Sequence, residues 1–150
     1  VSTDGQICYG IVLEEDSEFP WKDYDEEFWW QRVNNYANPM WDPFDEFGSR
    51  KPGVNENDPR IAQYFQHTLD WEKQNPFPIE LVNCCSNDFP KWILAIPSSF
   101  RLCHRGYPES FDPKSLQVTE EEKTAFLEFL AKYEIEFTDE PQWYLSSYWG

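Results

Sequence analysis

The residues best suited to chemistry are four cysteines, at 8, 84, 85 and 103, and two histidines, at 67 and 104. Together they supply the donor types that zinc takes, but no C-x-x-C or H-x-x-x-H spacing is present to bring them together. Cys103 and His104 are neighbours in a strand-like stretch, so their side chains point to opposite faces. Cys103 or Cys85 with His67 or His104 would also meet the minimum for a nucleophile and its base, yet no family signature surrounds either cysteine. Carboxylates are the third candidates. Asp23, Asp25, Glu26 and Glu27 stand beside Trp21, Trp29 and Trp30, and acid-rich loops next to aromatic rings describe sugar-processing clefts. The sequence singles out no pair among them. A phosphate-cradling loop is not expected, because neither glycine-rich signature occurs and the chain has only 6 Gly. These observations lead us to expect no metal and no cofactor, and four reduced, mostly buried thiols.

Charge is the more informative property. The chain has 28 Asp and Glu against 12 Lys and Arg, a formal charge of -16, which argues against direct binding of nucleic acid or of an anionic membrane surface. With 8 Trp, 8 Tyr and 12 Phe it is too rich in bulky apolar residues for a disordered acidic tail. The excess charge sits at the two ends. Residues 1–30 hold 9 acids and one base, residues 31–118 hold 11 and 9, and residues 119–150 hold 8 and 2. Glu14, Glu15, Asp16, Glu18, Asp23, Asp25, Glu26 and Glu27 form the densest run. Unpaired carboxylates are costly to bury, so this run is expected to be exposed. It is then either a solubilising face or a binding surface.

The elements that position these residues follow from patterning. Gln6 to Leu13 reads as a strand with Ile7, Tyr9, Ile11 and Leu13 on one face and Cys8 and Val12 on the other; both faces are apolar, which predicts a central strand. Asp25 to Tyr36 reads as a helix with an acidic first turn. Ala37 to Glu56 is a long loop whose Trp41, Phe44 and Phe47 need burial or a partner. Asp58-Pro59 starts a helix that Asn75-Pro76 ends, with Ile61, Phe65 and Leu69 expected in the core. Ile79 to Cys85, Lys91 to Ile96 and Phe100 to His104 read as strands of an antiparallel meander. Thr119 and Glu122 form a capping box that opens a helix to Tyr133, expected to bury Phe126, Leu127, Phe129 and Leu130. Gln142 to Trp149 is a last strand, either buried on the helices or an aromatic recognition patch. The expected fold is one α+β domain over 1–150: an antiparallel or mixed sheet of four to five strands with three helices packed on it. The expected core includes Ile7, Ile11, Leu81, Ile93, Leu94, Phe126 and Leu130. No apolar run approaches the ~20 residues that span a bilayer, and Val1 to Gly10 lacks signal-peptide features.

Several stretches, ICYGIVLEEDSEFPW at 7–21, the Trp29-Trp30 helix, LVNCCS at 81–86, RGYPESFDP at 105–113 and WYLSSYWG at 143–150, together resemble a family of small acidic proteins of tailed phages and prophages. That family has no assigned activity. The resemblance implies a viral origin and a host-cytoplasm setting, and it carries over no catalytic or binding residue. Small acidic early phage proteins as a class often antagonise host defence.

The expected function is therefore binding without chemistry. Glu14, Glu15, Asp16, Glu18, Asp23, Asp25, Glu26 and Glu27, with Trp21 and Tyr24 as aromatic anchors, would dock on a basic, nucleic-acid-binding surface of a host protein. The alternatives are a small carboxylate-dependent hydrolase and a virion structural or assembly accessory protein. Oligomeric state is not legible from the sequence.

Overall fold

In a computed structural model of the chain, residues 3–23, 25–34, 41–45 and 48–150 are described. The fold is α+β: among the described residues, a five-stranded antiparallel sheet and three α-helices. The chain forms two compact units, one of residues 1–19 with 78–150, the other of residues 20–77.

The first unit is built on β1 (Thr3–Val12). Its two apolar faces make it the central strand, as expected. On one edge it pairs over its length with β5 (Gln142–Trp149). The other edge is shared by β3 (Trp92–Ala95), opposite Gly10 to Val12, and β4 (Arg101–His104), opposite Asp4 to Ile7. β2 (Glu80–Asn83) pairs outside β3. The expected meander is corrected here. β3 and β4 do not pair with each other but lie end to end along β1. Between them Pro97–Ser99 forms a 3-10 turn that shifts the register. The turn interrupts the ladder at Tyr9, and Ser99, 1% exposed, repairs it by accepting the Tyr9 N–H at 2.9 Å and donating to the Ile96 carbonyl at 2.6 Å. A parallel bridge between Ser86 and Trp149 ties the end of β5 to the segment after β2, which rolls the sheet.

The rolled sheet buries Cys8, Val82, Ile93 and Ala95 on its inner face, with Cys84, Phe100 and Tyr144 packed around them. Burial pushes the Cys8 thiol up to about 11, reinforced by Cys84 and Glu80. All four cysteines are free. The outer face is covered in part by α3 (Glu120–Lys132), whose Lys123 Nζ lies 5.6 Å from the Tyr9 ring centre. The Thr119–Glu122 capping box forms as expected, and the Ser98 hydroxyl donates to Glu122, which with the cap holds that carboxyl below its usual range. Of the expected core, Ile11, Ile93, Leu94, Phe126 and Leu130 are buried. Ile7 and Leu81 are only half-buried, and Val82 takes the place expected of Leu81. Leu127 is 44% exposed, being turned by about 100° of helix from Phe126.

The second unit holds α1 (Glu26–Val33) and α2 (Pro59–Gln74). Asp25 caps α1 by accepting the Phe28 N–H, and Asp58 caps α2 with Pro59 at its first turn. Trp21, 2% exposed, packs on Trp29 and Phe77 at ring-centre distances of 5.6 and 6.4 Å. Phe44 packs on Tyr64 at 5.5 Å, and Arg60 lies over Trp41 at 4.4 Å. α2 buries the side marked by Tyr64, and Phe65 and Leu69, expected in the core, are 50% and 52% exposed. Both lie roughly 70° or more around the helix from the buried stripe. The end of the expected first helix at Asn35 and Tyr36, and Ala37–Met40, Glu46 and Phe47 of the long loop, lie outside the described residues.

Candidate functional site: an acidic groove

The acidic run divides between the two units. In the first, Glu14, Glu15, Asp16 and Glu18 follow β1 directly, and the Ser17 N–H closes a turn onto the Glu14 carbonyl at 3.1 Å. All four carboxylate residues are exposed. Buried Leu13 anchors the entry to the turn, so the acids leave the sheet at a fixed point.

The turn is met by the segment that leaves α3. The helix ends in a Schellman arrangement: the Ile135 N–H reaches the Leu130 carbonyl at 2.9 Å and the Glu134 N–H reaches Ala131 at 3.2 Å. Glu134 takes a left-handed conformation, with φ 53°, and Ile135 is buried. The chain is thereby turned so that Glu136, Phe137 and Thr138 run alongside the acidic turn. Thr138 Oγ1 donates to Glu14 Oε1 at 2.9 Å. Glu14, Asp16, Ser17, Ile135, Glu136, Phe137 and Thr138 line one groove of about 500 Å³. Its three carboxylates come from both acidic ends of the sequence, and Ile135 and Phe137 give it apolar surface. Such a groove suits a lysine or arginine side chain, with the charge met by carboxylates and the aliphatic stem by the apolar residues. Sequence reasoning missed Glu136, Phe137 and Thr138. The signal for them was the charge excess of residues 119–150, which did not reveal that the segment folds back on Glu14.

In the second unit, Asp23, Asp25 and Glu27 are exposed and Glu26 is half-buried. Trp21 is corrected from an anchor for a partner to a core residue, because its ring is enclosed by Trp29 and Phe77. Tyr24 lies outside the described residues. Glu27 shares a side-chain hydrogen bond with Glu72 of α2, whose Oε1 also accepts from Gln31 Nε2 at 2.9 Å. Desolvation raises the Glu27 pKa, followed by the Glu72 charge, the hydrogen bond to Glu72, and Asp25 and Glu26. A sugar-cleaving pair needs ~5 Å or more between its carboxyl groups, and these two are in contact. Among the described residues, no group of three or more His, Cys, Asp or Glu is arranged to hold a metal ion. Nor is any helix long and apolar enough to cross a membrane.

Comparison with protein-family models, curated proteins and solved structures finds no match. The reading of function rests on the geometry and the sequence of this chain.

Proposed function

We propose that this is a phage-derived acidic protein of the host cytoplasm that binds without chemistry, occupying a basic, nucleic-acid-binding surface of a host protein and so antagonising host defence. The observation that carries the reading is the groove in which Glu14, Asp16 and Glu136 converge, with Glu14 fixed by Thr138. Nucleic-acid sites present lysine and arginine placed for phosphates, and carboxylates held on a folded frame are a matching set of negative charges. The formal charge of -16 would speed the encounter and make it salt-dependent. The acidic start of α1 adds Asp23, Glu26 and Glu27 as a second negative element.

The test is capture of a host protein by the tagged chain at low and high salt, followed by addition of duplex DNA. The captured protein should be released by salt and displaced by DNA, and the variant carrying Glu14→Gln, Asp16→Asn and Glu136→Gln should capture much less while remaining folded. Capture that neither DNA nor charge removal affects would overturn the reading.

A further inference from the structure

The rolled sheet leaves one long edge open. Because the Trp149 N–H points away from β1, to the Cys85 carbonyl at 2.9 Å, the odd-numbered residues of β5 turn their backbone groups outward. Beyond Trp149, among the described residues, no backbone partner meets the outward N–H and C=O groups of Trp143, Leu145 and Ser147. Side chains at this edge are exposed too: Leu145 is 82% exposed, Trp149 61% and Trp143 36%. Edge strands are usually protected by charge, proline or a covering element, and residues 142–147 carry neither charge nor proline.

We propose that β5 pairs antiparallel with β5 of a second copy of this chain, about a two-fold axis at Leu145, to give one continuous ten-stranded sheet. Charge favours this edge over the others for pairing with a second copy. Among the described residues three strands have an unpaired edge; β2 carries Glu80 and β4 carries Arg101, whereas the eight residues of β5, QWYLSSYW, carry no charge. At this edge a chain of charge -16 meets its own copy with no charged residue in the pairing strand, whatever the register. A strand edge is also self-complementary under a two-fold axis, since each outward donor faces an acceptor of the copy. In this register Leu145 faces Leu145 of the copy and Trp143 faces Ser147, so the exposed leucines bury each other.

The salt dependence has a definite sign. Two molecules of charge -16 repel at long range, and the pairing surface itself is uncharged, so the dimer strengthens as salt screens the repulsion. Binding of a basic partner weakens over the same range, which separates the two proposals. The experiment is sedimentation equilibrium of the full chain over a concentration series at low and high salt. We expect a reversible dimer favoured by high salt. Leu145→Lys, at an 82% exposed position where folding is undisturbed, should raise the dimer dissociation constant at least about tenfold. Ser147→Pro, which removes one outward donor and changes no charge, should act in the same direction. A chain that stays monomeric at high salt and high concentration overturns the proposal. So does a dimer that persists unchanged in Leu145→Lys, which would place the interface elsewhere.

Discussion

Thr138 Oγ1 and Glu14 Oε1 lie 2.9 Å apart across 124 residues of sequence, and this bond joins the two acidic ends of the chain. Both residues are exposed, so the bond contributes little to folding, about 0.5 kcal/mol. Its role is to hold one carboxylate in place. Thr138→Val should therefore leave thermal stability nearly unchanged and weaken partner capture, while Thr138→Ser should restore capture. A loss of stability of several degrees in Thr138→Val would make the bond a structural tie.

The turn that brings Thr138 there is strained. Glu134 has φ 53°, a conformation that glycine adopts at no steric cost, and it occupies the position after the α3 cap where glycine is usual. Glu134→Gly should raise stability by about 0.5–1 kcal/mol and keep both Schellman hydrogen bonds. Chemical denaturation of the two proteins measures the difference. A destabilised variant would mean that the Glu134 side chain makes a contact that outweighs the strain.

That strain also explains what the sequence concealed. The helix starts were legible because Asp58-Pro59 and Thr119 with Glu122 are strong local signals of capping, and because Asp25, Glu26 and Glu27 marked an acidic first turn; that Asp25 is the cap itself is seen only in the structure. The end of α3 carried no glycine, and so the return of Glu136 to Glu14 had no local signature. The strands were legible from apolar runs, and their type held in every case. Their pairing was not, because Pro97–Ser99 divides what would be one long partner of β1 into β3 and β4. Leu81, Phe65 and Leu69 illustrate a different limit. A pattern reports that a face is apolar, but which neighbour covers it is a property of the assembled unit. The acidic residues were found by charge alone, and charge arithmetic cannot distinguish a groove from a dispersed surface. Trp21 was legible as important and wrong in role: a tryptophan beside acids satisfies a recognition pattern and a core equally well.

Gly10 tests the packing of β1. A Cβ at this position would lie 2.0 Å from the Leu94 carbonyl oxygen and 2.8 Å from the Ala95 Cα, both backbone atoms of β3. Neither can rotate away, so Gly10→Ala must separate the strands. The expected cost is about 2–4 kcal/mol, above the usual range for a surface strand. Gly5, on the same strand, has only the Cys103 carbonyl oxygen nearby, at 3.9 Å, and Gly5→Ala should be close to neutral. Equal effects of the two substitutions in urea denaturation would contradict the register of β1 with β3.

Glu27 and Glu72 make the stability of the second unit depend on pH. Their carboxyl groups share a hydrogen bond, which requires one proton between them, and desolvation and the Glu72 charge raise the Glu27 pKa above its ordinary 4.5. An acid whose pKa is raised on folding favours the folded state while it is protonated. That contribution is complete below the unfolded value and is lost as pH rises through the folded one. The charges that raise Glu27 are Glu72 across from it and Asp25 and Glu26 on its own side, and Gln31 donates to Glu72. Deprotonation therefore places a like charge against Glu72. Glu27→Gln keeps a donor toward Glu72 and removes the repulsion. Because Glu27 is exposed, solvent screening limits the gain to about 0.3 kcal/mol, on the order of 1–2 °C in melting temperature. The variant should match the wild type near pH 4 and exceed it at neutrality. Melting curves across that interval measure it, and parallel profiles for the two proteins would show that the pair does not share a proton.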